Sequence, residues 1–191
     1  MTDNDVILSV ECNEPEGKIV RHIRPLIFTE DNLKKFWSVA RQFPTLYGRE
    51  ILDDPVEFAK IFITQDEYGK LGSNGLFWVV DDFVGVFYIT DIRFDLSDAL
   101  VHYAFFDRRH HGRHQLVREM LKYVFNQFLF ARLSAELPNY TGPQVKHFAT
   151  DVGFIFEGKK RKAAPYKGTR FDVNLFGILP SEVLDNGPTE N

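Results

Sequence analysis

Cysteine is almost absent from this sequence: among 191 residues only Cys12 carries a thiol. One thiol excludes an internal disulfide framework and a thiolate zinc cluster, and it fits a reducing compartment. Long hydrophobic runs are missing too, since no stretch approaches the roughly 18 apolar residues of a membrane span. No lysine or arginine precedes Lys18, while Asp3 and Asp5 stand near the start, the reverse of a secretory signal. There are no internal repeats, no low-complexity stretches and no Gly/Ser/Pro-rich linker. These features lead to the expectation of a cytoplasmic protein with no membrane attachment.

Hydrophobic residues make up 44% of the chain, with Phe 19, Tyr 7 and Trp 2, enough to bury a core without covalent staples. The formal charge of −4 is unevenly distributed. Five acids and no base lie in residues 1–17, and three acids and no base in residues 181–191. Residues 18–180 therefore hold nineteen acids against twenty-three bases. The expected organisation is an acidic N-terminal segment (1–17), a single mildly basic domain (18–180) and an acidic C-terminal tail (181–191), with both ends frayed. Such a balance suits an anionic ligand and is too weak to demand nucleic acid.

Hydrophobic periodicity outlines the elements. Lys18 to Arg24 alternates around Ile19 and Ile23 and stops at Pro25, a strand. Thr29-Glu30-Asp31 opens a helix through Ala40, and Asp54-Pro55 opens another to about Phe62. Gly75–Asp81, Phe83–Thr90 and Leu100–Phe106 read as three successive strands, the first two meeting in a hairpin at Asp81-Asp82. Leu116, Val117, Met120, Leu121, Val124, Phe125, Phe128 and Leu129 then form one broad apolar stripe on a long helix that starts after Gly112. A strand at Leu133–Leu137, a helix capped by Gly153, and two strands from Phe154 and Phe171 complete the order β-α-α-β-β-β-α-β-α-β-β. This is an α/β (α+β) fold with mixed strand directions.

The stretch from Phe105 to His114 lies between a strand and that long helix. A strand entering a polar turn and a helix N-terminus makes an anion site from unpaired N–H groups and the helix dipole. Gly112 allows close backbone approach, while Arg109 and Arg113 supply fixed charge for phosphate. The same residues also fit a charged turn whose glycine serves conformation alone.

Arg109-x-x-Gly112-x-His114 resembles the Q/R-x-x-G-x-G/A motif of the GNAT superfamily of acyl-CoA-dependent N-acetyltransferases. The run Gly153-Phe154-Ile155-Phe156-Glu157-Gly158-Lys159-Lys160-Arg161 resembles the G-F-x-x-E-G-x-x-R signature of its Rim-like branch, and Asp172 fits the same branch. The resemblance spans roughly residues 18–180. It implies a mixed, mostly antiparallel central sheet with helices on both faces, and acetyl-CoA as cosubstrate. Carried over residue by residue, it implies pyrophosphate binding by Arg109, His110, His111, Gly112, Arg113 and His114. Phe105 and Phe106 would then line the pantetheine arm, with Asn139 beside it. His114 stands where the family has Gly or Ala, which places a ring where the cofactor passes. Gly142 replaces the branch's serine.

Acetyl transfer needs a base for the amine and an acid for the leaving thiolate. His102, on the fourth strand of the order above, and Glu136, on the fifth, are the candidate bases. Tyr140 is the candidate acid, with Tyr166 second. Each has a plain alternative: a satisfied strand histidine, a solvent-facing carboxylate, packing tyrosines. His110 and His114 have i,i+4 spacing, but no H-E-x-x-H pattern accompanies them, so no metal is expected. Lys159, Lys160, Arg161, Lys162, Lys167 and Arg170 crowd the last hairpin. They suit a solvated edge or attraction of an acidic acceptor, either a protein or peptide amine or aminoacyl-tRNA. The leading expectation is acetyl transfer from acetyl-CoA to a primary amine of a protein, by direct attack in a ternary complex. The alternatives are an interaction protein on a GNAT scaffold and an acetyltransferase of aminoacyl-tRNA.

Overall fold

The computed structural model describes residues 6–14, 17–47, 53–68, 70–95, 97–107 and 112–184. Arg109, His110 and His111 fall outside the described residues. The elements in chain order are β1 (Leu8–Glu14), β2 (Gly17–Pro25), α1 (Glu30–Ala40), α2 (Pro44–Tyr47), α3 (Pro55–Lys60), β3 (Ile63–Gln65), β4 (Leu71–Ser73), β5 (Gly75–Val80), β6 (Gly85–Arg93) and β7 (Asp98–Phe105). They continue with α4 (Arg113–Phe128), β8 (Arg132–Pro138), a 3-10 turn (Asn139–Thr141), α5 (Pro143–Val152), β9 (Ile155–Tyr166), β10 (Thr169–Ile178) and α6 (Pro180–Leu184). Eight strands are hydrogen-bonded in the order β1-β2-β5-β6-β7-β8-β10-β9, and β3 pairs with β4 separately. The fold is mixed α/β, with a central, mostly antiparallel sheet flanked by helices and a parallel pairing of β7 with β8. No described helix is long and apolar enough to cross a membrane.

The chain gathers into two compact units, Met1–Asp91 with His102–His111, and Ile92–Val101 with Gly112–Asn191. The first is built on phenylalanine. Thr29 caps α1 by accepting from the Asn32 N–H at 3.2 Å, and Asp54 caps α3 through the Val56 N–H at 2.8 Å with Pro55 in the first turn. These caps aim Phe36 and Phe58 into the core, where their rings meet at 5.0 Å. Phe36 also packs on Phe62, Phe83 and Phe106. Full burial of each such ring stabilises by about 1.5–3 kcal/mol. The acidic N-terminal segment is not frayed where it is described: residues 8–14 form β1 against β2. Val10 and Cys12 point inward while Glu11 turns out and pairs with Lys18 at 2.6 Å. The charge count hid this alternation.

In the second unit α4 buries the predicted stripe from Leu116 to Phe125. The stripe ends sooner than expected, because Leu129 is 82% exposed in a left-handed conformation that closes the helix. Pro143 opens α5, and Gly153, at φ +122°, ends it by donating to the Ala149 carbonyl. β9 is an edge strand paired only with β10 in the strand order, with irregularities opposite Phe171–Val173 and Leu175–Phe176. At the first of these the Asp172 carboxylate accepts from the Lys162 N–H at 2.9 Å, and Lys162 takes a φ of +53°.

Candidate active site

His102 lies on β7 in the first unit. Its Nε2 is 2.9 Å from the Thr90 hydroxyl, and its ring stacks on Tyr88 at 4.6 Å and 9°. Tyr88 stacks in turn on Phe77 at 5.3 Å, and Phe77 meets Phe28 at 4.8 Å. Phe28 borders a cleft of about 360 Å³ lined by Leu26, Ile27, Ile63, Leu71, Gly72 and Ser73. The imidazole thus has a polar contact with Thr90 and an aromatic face on Tyr88.

Phe106 packs within the first unit. Its ring is buried among Phe36 and Phe43, and its N–H donates to the Val84 carbonyl at 2.8 Å. Both side chain and amide are thus engaged within the first unit. Phe105 lies over Gly85, where a Cβ would come within 2.8 Å of its ring. That approach is why glycine starts β6.

In the second unit the start of α4 is a separate candidate region. Gly112 is its N-cap, at φ −71° and ψ +19°, with no side-chain hydrogen bond to the cap. Sixteen residues of helix follow, so amide donors and the dipole's positive end are concentrated beside Arg113 and His114. The His114 ring turns onto α5, 4.3 Å from Phe148, with Nε2 3.7 Å from an Asp151 carboxylate oxygen. It packs on the neighbouring helix, which gives the residue a use that Gly or Ala could not supply.

Asn139, in the 3-10 turn after β8, is fixed through its side-chain oxygen, which accepts from the Asn174 amide at 2.5 Å. Asn174 also donates to the Leu137 carbonyl at 3.2 Å and is itself buried. Tyr140 stacks on Tyr166 at 4.3 Å and 14°, with the Phe171 edge at 5.7 Å. Burial, with a smaller contribution from Tyr166, pushes its phenol above the ordinary value, so it stays protonated at neutral pH. Glu136 is ion-paired to the Lys160 ammonium. Lys159 lies 3.8 Å from Asp172, so two of the hairpin's six bases face carboxylates.

The structure therefore brings Tyr140 together with Tyr166, Asn139 with Asn174, and Glu136 with Lys160. Thr90, Asn174, Phe148 and Asp151 escaped the sequence reading. Asn174 alone left a trace there, as a polar residue inside an apolar alternation. Asp98 is a further buried carboxylate, held by Arg93, by Ser134 at 3.2 Å and by Arg132 at 3.9 Å. Among the described residues no group of three His, Cys, Asp or Glu side chains could hold a metal ion.

No protein-family model matches the chain, and no curated protein matches it in sequence. Solved structures do share its fold. A chimera of the Vibrio cholerae spermidine N-acetyltransferase SpeG and hSSAT superposes with a TM-score of 0.67, at 16% identity, over 87% of this chain and 99% of its own. Mycobacterium smegmatis RimJ in complex with CoA-disulfide gives 0.67 at 19% identity, over 92% and 88%. The ribosomal-protein-S5-alanine acetyltransferase of Vibrio fischeri gives 0.62 at 15% identity, over 92% and 98%. The chain shares the fold of these N-acetyltransferases.

Proposed function

We propose that this protein transfers an acetyl group from acetyl-CoA to a primary amine of a protein or peptide, as a Rim-like N-acetyltransferase. The observation that carries the reading is the start of α4. It combines a glycine N-cap, an arginine in the first turn and a long helix behind them. This chemistry suits a pyrophosphate, on a fold shared with acetyltransferases. The backbone amides of Gly112, Arg113 and His114 would meet the phosphates, together with those of His110 and His111, with the Arg109 and Arg113 side chains flanking. Asn139, steadied by Asn174, and the Phe105 segment would serve the pantetheine arm.

In the reaction the neutral amine attacks the thioester carbonyl, its nitrogen–carbon bond forms, and the carbon–sulfur bond breaks. His102, in the first unit, is the candidate acceptor of the amine proton, and Tyr140, in the second, whose phenol is protonated, is the candidate donor to the thiolate. His102 is favoured over Glu136 because the Glu136 carboxylate already holds the Lys160 ammonium. Cys12 is buried in β1 and has no part.

Two features favour a peptide over a polyamine. The cleft beside Phe28 is apolar and fits a side chain, and the β9–β10 hairpin, with Arg161, Lys162, Lys167 and Arg170, repels a polycation and attracts acidic flanks. The test compares acetyl transfer to a peptide with acidic residues after its N-terminus against transfer to spermidine, at low salt. Preference for the peptide is expected. Preference for spermidine overturns the acceptor assignment and leaves the acetyl transfer standing.

A further inference from the structure

β3 and β4 form a two-stranded sheet of their own in the first unit, apart from the eight-stranded one. Their register sets Ile63, Thr64 and Gln65 opposite Ser73, Gly72 and Leu71. Just beyond the two ends of this ladder the Asp66 N–H donates to the Lys70 carbonyl and the Asn74 N–H to the Phe62 carbonyl, each at 3.0 Å. Hydrogen-bonded pairs alternate along an antiparallel ladder, so Thr64 and Gly72 are the bonded pair between those two. Leu71 and Ser73 therefore turn their N–H and C=O groups away from β3. Among the described residues no strand lies along that side of β4. Gly72 is equally uncovered, since a Cβ there would meet nothing within 4 Å.

The bare edge borders the cleft beside Phe28. Leu71, Gly72 and Ser73 all line that cleft, whereas β3 contributes Ile63. Successive side chains point to opposite faces of a strand, so three consecutive residues border one cleft where it meets the strand edge-on. Leu26, Ile27 and Phe28 line it as well, and among the described residues no charged side chain does. Its rim is open: Ile27 and Leu71 are 70% and 67% exposed. An unpaired strand edge offers the donors and acceptors that an extended peptide matches, and an apolar slot beside it selects a side chain. A polyamine has no carbonyl for the two N–H groups and would carry charge into an apolar slot. We propose that the outer edge of β4 binds the acceptor peptide as an added strand, through the Leu71 and Ser73 main-chain groups, with an uncharged apolar side chain of the peptide in the cleft. The inference deepens the peptide reading above and rests on it. Side chains of the docked peptide alternate in direction, so its recognition has a period of two.

The test is amide hydrogen exchange in the ¹⁵N-labelled full-length protein, with and without an eight-residue peptide. The peptide has a free N-terminus, acidic residues and one leucine, moved from the second to the fifth position in a series. In the free protein the Leu71 and Ser73 amides should exchange quickly and the Gly72 amide slowly. Saturation with the preferred peptide should slow Leu71 and Ser73 and leave Gly72 as it was. N-methylating successive amides of that peptide should weaken binding by about 2- to 10-fold at alternate positions only. Ser73→Pro, which removes an N–H that β3 does not use, should weaken the peptide by a similar factor while acetyl-CoA affinity holds. The N-methyl series uses the wild-type protein and so does not depend on how that variant folds. A peptide that is acetylated while Leu71 and Ser73 exchange as before, or an N-methyl series without alternation, overturns the docking edge and leaves the peptide acceptor standing. If no peptide of the series binds or is acetylated, the edge and the peptide reading fall together.

Discussion

Placing a carboxylate at the α4 N-cap separates a phosphate cradle from an ordinary helix start, because the two predict opposite signs. Gly112 has a φ of −71°, open to any L-residue, so Gly112→Asp brings no backbone strain. Its ψ of +19° is not the extended value of a regular cap, so the stability change comes mainly from a negative charge at the helix dipole. That interaction is worth about 0.3–1 kcal/mol, and in a chain of this size each kcal/mol raises Tm by about 2–4 °C. The variant should therefore melt about 1–4 °C higher. Acetyl-CoA binding should fall. A carboxylate about 4 Å from a phosphate charge costs about 1 kcal/mol in a water-like medium and about 4 kcal/mol at an effective dielectric of 20. An intermediate 2 kcal/mol corresponds to about a 30-fold weaker Kd. Thermal melts and calorimetric titration with acetyl-CoA read both quantities on one preparation. A raised Tm with unchanged affinity would show that the turn before α4 is only a helix start, and would remove the cofactor assignment from Gly112, Arg113 and His114.

Reversing Arg161 and Lys162 to Glu should raise the KM for an acidic peptide, with acetyl-CoA affinity unchanged and the effect shrinking as salt rises; steady-state kinetics across ionic strength checks it. Lys160 is left in place in that variant because it holds Glu136. His114→Ala should cost about 0.5 kcal/mol of stability through lost packing on Phe148, and acetyl-CoA affinity should change little, because the ring lies on α5. A large gain in affinity would mean that the ring crowds the phosphates after all. Asp172 is held below the ordinary carboxylate value, first by the Lys162 N–H and then by neighbouring bases. Its stabilisation is thus complete above the unfolded value of 3.8 and is lost as pH falls through the lower folded value. Asp172→Asn should flatten that acid limb in pH-dependent melts, and an unchanged limb would contradict the hairpin hydrogen bond.

Local chemistry made much of the fold legible. Thr29 and Asp54 are N-caps as their sequence context predicts, and the period-3.6 stripe from Leu116 to Phe125 is the buried face of α4. Gly153 closes α5 as expected. Where charge dominated composition the reading failed: β1 was hidden among acids, although Val10 and Cys12 alternate inward. The short β3–β4 pair was missed because each strand has only three residues and no buried position past Ile63. At the site, residue types pointed to His102, Glu136 and Tyr140 without their surroundings. The contact between Thr90 and His102, the ammonium on Glu136 and the Tyr166 stack depend on strand register between distant segments, which periodicity does not encode. Phe106 illustrates the reverse case. Its place beside the motif pointed to the cofactor, and periodicity gave no sign that its ring packs on Phe36 and Phe43.

Calorimetric titration of the full-length protein with acetyl-CoA tests the central claim most directly. A GNAT fold with a working α4 N-terminus should bind one equivalent with a Kd in the range of about 1 μM to 1 mM typical of enzyme substrates. The affinity should drop in Gly112→Asp. No saturable heat up to about 1 mM acetyl-CoA, from a protein that melts cooperatively, would contradict the proposed acetyl transfer.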